Sequence, residues 1–390
     1  MIVRQFLQWL RTAPAGERAD ATSALARAYL YSDMSSEDRA ACEGAMIMLL
    51  DDSSPLVRLA LAETLAGSEL APPAIIHALS ADQHEIAGPV LRRSPLLLDA
   101  DLVDHVATGG PAVQAAIAYR ALLPRSVAAA IAEVGSAEAC LILLENPDAD
   151  IAIISVGRIV HRFGHLAAIR ETLLQWEDLP AAMRQALVIK LSETLAGFVV
   201  AREWLGADRA QRVAREACER ATVTLAAETP FHEVRPLIRH LRETGQLNAG
   251  LILRALLSGN LTMFEEALAD LSGLPLSRVV GLIHDKGNAG FRALYEKAGL
   301  PAATFPAFGE AVTALQEDYV SLEPGGAARL RRRTVERVLT RCETMEQAEI
   351  EPLLMLLRRF ATEAAREEAR MFCEELVDGI VPSLDDRLVA

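Results

Sequence analysis

The feature that most narrows the folds open to this chain is a recurring pair of amphipathic helices joined by a short turn. It is plainest at 35–67, SSEDRAACEGAMIMLLDDSSPLVRLALAETLAG. Ser35 or Ser36 is placed to cap a first helix, which carries Ala41, Ala45, Met46 and Leu49 on one face. The stretch DDSSP stops it. Ser54 then reads as the next N-cap and Pro55 as its first helical residue, since proline lacks the N–H that would be orphaned there. Val57, Ala60, Leu61 and Leu65 recur at helical spacing, and Gly67 closes the unit. Further turns near Asp82, Gly109–Gly110, Pro147–Asp150 and Leu179 give a period of roughly 30 to 40 residues, as in stacked helix-pair arrays. One such hairpin cannot hide its own apolar faces, so neighbours must cover them. Alanine and leucine dominate and only 5% of residues are aromatic, which favours helix throughout. The expectation is an all-α protein: an α-α superhelix, or helical-hairpin solenoid, followed by a helical C-terminal half.

The segment DDSSPLVRLALAETLAG resembles the second-helix segment of HEAT repeats, in which a turn aspartate and a following arginine form a polar ladder between repeats. Asp51 or Asp52 and Arg58 match that ladder, whereas later units mostly lose the arginine. This HEAT-like array is assigned to residues 1–205 and a C-terminal helical repeat domain to 206–390. The second half is expected to hold a long helix at 208–227, shorter ones in HEVRPLIRHLRET and NAGLILRALLSG, an arginine-rich helix at 327–344 and a last helix at 351–379. Within it, LSGLPLSRVVGLIHDKG and GFRALYEKAGLP resemble a bacterial family known as domain of unknown function 2336. That resemblance implies helical repeats and no assigned activity.

Charge and cysteine usage exclude several roles. A formal charge of -14 on 390 residues repels polyanions on average, so nucleic acid is disfavoured as a partner. The five cysteines are scattered without a CxxC, which reads as reduced thiols in a cytoplasmic protein. The N-terminal MIVRQFLQWLRTAP lacks a signal-peptide core, and no run is apolar enough for membrane insertion. There is no HExxH and no GxSxG, and His161 with His165 offers only two ligands, so no metal, cofactor or catalytic residue is assigned.

Two polar stretches stand out. In HDKGNAGFRALYEKAGLP, Gly287 and Asn288 fit a helix stop and a helix cap, while Phe291, Leu294 and Tyr295 form an apolar side and Gly299 a second stop. The favoured reading is a tight bend. The alternative is an anion cradle, with backbone N–H groups at a helix start flanked by Lys286 and Arg292. In ARLRRRTVERVLTR, Arg333, Arg337 and Arg341 share one face at i, i+4 spacing, and internal ion pairing or a solvated face is favoured over contact with phosphates or an acidic partner. The candidate ligand-binding set is therefore Lys286, Asn288, Arg292, Arg333 and Arg337. The function expected first is a non-enzymatic scaffold or regulatory adaptor that binds a protein partner. A module that binds a nucleotide or other phosphate ligand comes second and a nucleic-acid-binding protein last, with a homo-oligomer left open.

Overall fold

In a computed structural model of the chain, residues 8–10, 12–285, 288–317, 326–343 and 351–380 are described, and every regular element among them is helical. The chain divides into two compact units, Met1–Leu179 and Pro180–Ala390.

In the first unit the helices are α1 (Ala15–Tyr31), α2 (Ser36–Leu49), α3 (Pro55–Leu65), α4 (Pro73–Ser80), α5 (His84–Arg93), α6 (Asp99–Thr108), α7 (Pro111–Ala118), α8 (Arg125–Val134), α9 (Ala137–Glu145), α10 (Ile153–Phe163) and α11 (Ala167–Leu174). Packing skips alternate elements. One row runs α1, α3, α5, α7, α9, α11 and the other α6, α8, α10, which is what successive hairpins produce when each covers the next. Local chemistry sets the boundaries. Ser35 Oγ accepts from Asp38 N at 3.1 Å, and Pro55, Pro73 and Pro111 each open a helix. Ser54 does not cap with its side chain; its own N–H donates to Asp52 Oδ1 at 2.8 Å. The buried face of α2 is Cys42, Ala45, Met46 and Leu49, one position away from the expected Ala41.

The polar ladder runs with an offset. Arg18 on α1 grips Asp52 through Nε and Nη2 at 2.9 and 2.8 Å. Arg58 on α3 does the same to Asp82, at 2.7 and 3.2 Å, and donates to the carbonyl of Asp52 at 2.6 Å. Each arginine thus reaches the turn aspartate of the following hairpin. Farther along, arginines do a different job. Arg120 donates to the carbonyls of Leu91 and Ser94 at 2.6 and 2.7 Å, and Arg162 to those of Ala132 and Gly135 at 2.8 and 2.7 Å. Both satisfy the orphan carbonyls that every helix leaves at its C-terminus.

The second unit holds α12 (Ala181–Ala201), α13 (Ala207–Glu228), α14 (Phe231–Glu243), α15 (Ala249–Leu257), α16 (Leu261–Ser272), α17 (Leu276–His284), α18 (Asn288–Lys297), a 3-10 turn (Ala302–Thr304), α19 (Phe305–Glu317), α20 (Gly326–Glu343) and α21 (Glu351–Ile380). The division falls at Leu179/Pro180 rather than near residue 205, because α12 packs along α13 and α14. The core is built on α15 and α16, both capped by asparagine: Asn248 accepts from Leu251 N at 2.9 Å and Asn260 from Met263 N at 3.1 Å. Phe264 of α16 meets the rings of Phe291 and Phe308, and both of these meet Tyr295. The last helix buries Leu353, Leu357, Phe360 and Ala364, whereas Phe372, farther along it, is 52% exposed.

Candidate anion-binding cleft

One residue in the core of the second unit breaks the apolar pattern. The segment LILRALL, residues 251–257, is buried at every position, including Arg254 in its middle, which is 5% exposed. A guanidinium removed from water needs partners. Arg254 Nη1 donates to Glu363 Oε2 at 2.5 Å, and its central carbon lies 4.2 Å from the ring centroid of Phe360. The Nε of Arg254 has no hydrogen-bond partner among the described residues.

Arg254 lines a cleft of about 920 Å³ walled by α13, α15, α20 and α21. Four further arginines line it: Arg220 on α13, Arg331 on α20, and Arg366 and Arg370 one turn apart on α21. Against these five stand three glutamates, Glu228, Glu363 and Glu367, a local excess of two positive charges in a chain of net charge -14. Glu367 takes Arg331 with both carboxylate oxygens at 2.9 Å. Among the described residues, Arg220, Arg366 and Arg370 make no ion pair. A contact from α21 to α13, Arg359 with Glu216, ties together two of the helices that wall the cleft.

On its other flank α13 borders a second cavity of about 900 Å³, lined by Cys218, Glu219 and Arg215 among others. Burial pushes the Cys218 thiol up, and burial likewise raises the Glu219 carboxyl against the opposing pull of Arg254. A protonated thiol beside a carboxyl that resists ionisation is a poor nucleophilic or anion site.

The stretches singled out in the sequence lie elsewhere. Of HDKGNAGFRALYEKAGLP, Lys286 and Gly287 fall outside the described residues, and Asn288 is the first residue of α18. Arg292 is exposed, pairs with Glu296 at 3.1 Å and sits 5.4 Å from the Phe305 ring centroid. Phe291, Leu294 and Tyr295 are buried, and Gly299 stops the helix with φ of 72°, a left-handed conformation that costs glycine little. On α20, Arg333 and Arg337 share an exposed face and do not line the cleft; Arg331 does. Other arginines of this helix pair internally: Arg331 with Glu367, Arg332 with Glu336 and Glu368, Arg341 with Glu310.

Arg254, Arg220, Arg366 and Arg370 were missed. Arg254 carried a readable signal, a lone charge inside seven otherwise apolar residues. The others looked like ordinary charges on helix faces. In the first unit a Ser80–His105 contact of 3.1 Å has the wrong polarity for nucleophilic chemistry. The Ser80 hydroxyl donates to the carbonyl of His77 at 2.8 Å, and burial holds the His105 imidazole below its ordinary range. Among the described residues, no group of three or more His, Cys, Asp or Glu is placed to share a metal ion, and no helix is long and apolar enough to cross a membrane.

Comparison with curated proteins and with solved structures yields no match. A family model described as an uncharacterised protein conserved in bacteria (DUF2336) matches residues 86–347, a span that takes in α13, α15 and α20 of the cleft. The chain belongs to that bacterial family.

Proposed function

We propose that the protein is a non-enzymatic regulatory module of HEAT-like helical-repeat build whose second unit binds an anionic ligand. The observation that supports this is the cleft: five arginines gathered in one hollow of an acidic chain, one of them buried with an unsatisfied N–H. Like charges gather at a cost unless something of opposite sign is held there. The volume, about 920 Å³, is that of a small-molecule site. Thermal unfolding with sulfate, orthophosphate and pyrophosphate at matched ionic strength tests it. A ligand at about 100 times its Kd adds about 2.7 kcal/mol to the stability of the unit that binds it. Stabilisation by at least one of these anions, lost in Arg366→Gln/Arg370→Gln, is expected. Indifference to all three would refute the reading.

A second reading, an adaptor that docks a protein partner, is favoured by one edge of the first unit. Asp150 N donates to the carbonyl of Leu123 at 3.0 Å and ties two inter-helix loops together. Beside that link Leu122 stands 83% exposed with φ of 53°, and Ile154 is 80% exposed. A bulky apolar residue held in a left-handed conformation and displayed to water marks a contact point. Cross-linked capture of a specific protein by the wild type and not by Leu122→Ser/Ile154→Ser would support it. Equal capture by both would dismiss it.

A further inference from the structure

The carboxylates already seated in the cleft narrow what can bind there. Glu363 and Glu367, one turn apart on α21, occupy Arg254 and Arg331 at 2.5 and 2.9 Å. An incoming carboxylate or other single anion that took their place would exchange one ion pair for an equivalent one, returning a partly exposed glutamate to water. Nothing favours that exchange. A ligand with several adjacent negative charges faces a different balance, because Arg220, Arg366 and Arg370 have no ion-pair partner among the described residues and lie along the same cleft. It can engage those three and share Arg254 and Arg331 with the resident glutamates or displace them. Guanidinium groups meet phosphate oxygens through paired N–H donors, so chained phosphates suit a row of arginines better than any single small anion does.

Accepting that the cleft binds anions, we propose that its ligand carries a chain of phosphate groups, and that Glu363 and Glu367 act as a built-in competitor which such a chain overcomes and a single small anion does not. The glutamates hold the cleft closed to the sulfate, orthophosphate and carboxylates of ordinary solution. They thereby set a threshold of charge for entry. The face of Phe360 is taken by Arg254, so no aromatic surface is offered to a nucleobase from that side, and recognition rests on the phosphates.

The test is calorimetric titration of the full-length protein with sodium tripolyphosphate, pyrophosphate, orthophosphate and a nucleoside triphosphate at matched ionic strength. Tripolyphosphate is expected to bind at least tenfold tighter than orthophosphate, and the nucleoside triphosphate to match tripolyphosphate. Glu367→Gln is expected to tighten tripolyphosphate about tenfold by freeing Arg331, a half-exposed pair whose loss the fold tolerates. Arg366→Gln/Arg370→Gln, both exposed, should weaken it by a similar factor or more. Equal affinity for orthophosphate and tripolyphosphate would overturn the phosphate-chain inference while leaving general anion binding intact. A response to the nucleotide alone would overturn it as well. No binding to any of the four would remove both, and unchanged or weaker affinity in Glu367→Gln would remove the competitor.

Discussion

The pair formed by Arg254 and Glu363 gives the sharpest mutational prediction, because its two partners differ in what each can do when left alone. Arg254 has a side chain 6% exposed, and that of Glu363 is 33% exposed. Unit charges about 4 Å apart attract by about 4 kcal/mol at an effective dielectric of about 20, and partial exposure of Glu363 cuts this to about 2 kcal/mol. In Glu363→Gln the guanidinium stays buried beside Phe360 with its main counter-charge gone, and it cannot reach water without opening α15. We expect a loss of about 2 kcal/mol. In Arg254→Met the apolar core gains a side chain of fitting character, while Glu363 turns to solvent and Glu219 to its own cavity; the loss should be about 1 kcal/mol. The double variant should be no worse than Arg254→Met alone. Because the chain has two units, a single unfolding midpoint is a poor readout. Amide hydrogen exchange across 249–257 isolates the effect: roughly thirtyfold faster in Glu363→Gln and roughly fivefold in Arg254→Met. If Arg254→Met proved the more damaging, or the two losses simply added, the account of a stranded buried cation would be wrong.

The remaining predictions are simpler. The hydrogen bond from Arg18 holds the Asp52 carboxyl below its ordinary range, and Asp82 is lowered too, burial opposing and Arg58 outweighing it. A depressed carboxyl stabilises the fold above its unfolded value, so the first unit should lose stability as pH falls through that depressed range; acid titration followed by circular dichroism should show a shallower acid limb in Asp52→Asn. Arg120→Ala should cost about 2–4 kcal/mol by stranding two helix-end carbonyls, measurable by urea unfolding, whereas Arg125→Ala, an exposed pair with Asp150, should cost under about 1 kcal/mol. Burial pushes the Cys140 and Cys342 thiols up to about 11, so mass spectrometry after brief alkylation at pH 8 should find Cys373 modified and those two modified only after denaturation.

How much of this was legible in the sequence follows from which interactions are local. Helix ends are set within a few residues, so Pro55 and Gly299 announced them, and α13, α20 and α21 lie within one residue of their expected bounds. The resemblance to HEAT repeats pointed to Asp52 and Arg58 but not to the partners they take, because Asp82 and Arg58 are 24 residues apart and their meeting depends on how hairpins stack. For the arginine helix the sequence left pairing and a solvated face side by side; Arg331 and Arg332 pair with α21, 36 residues away, while Arg333 and Arg337 are exposed. The cleft was not legible. Its arginines come from four helices, and nothing local distinguishes Arg366 from Arg359, which faces Glu216 instead. Arg254 was the exception, since a charge amid LILRALL is costly wherever that helix is buried.

The central claim, that the arginine-lined cleft of the second unit is where an anion binds, is tested most directly by hydrogen–deuterium exchange with and without tripolyphosphate. The account predicts slower exchange confined to the helices around the cleft, 217–228, 254–260 and 360–370, and unchanged exchange across the first unit. Protection centred on 288–297, or no localised change at all, would contradict it.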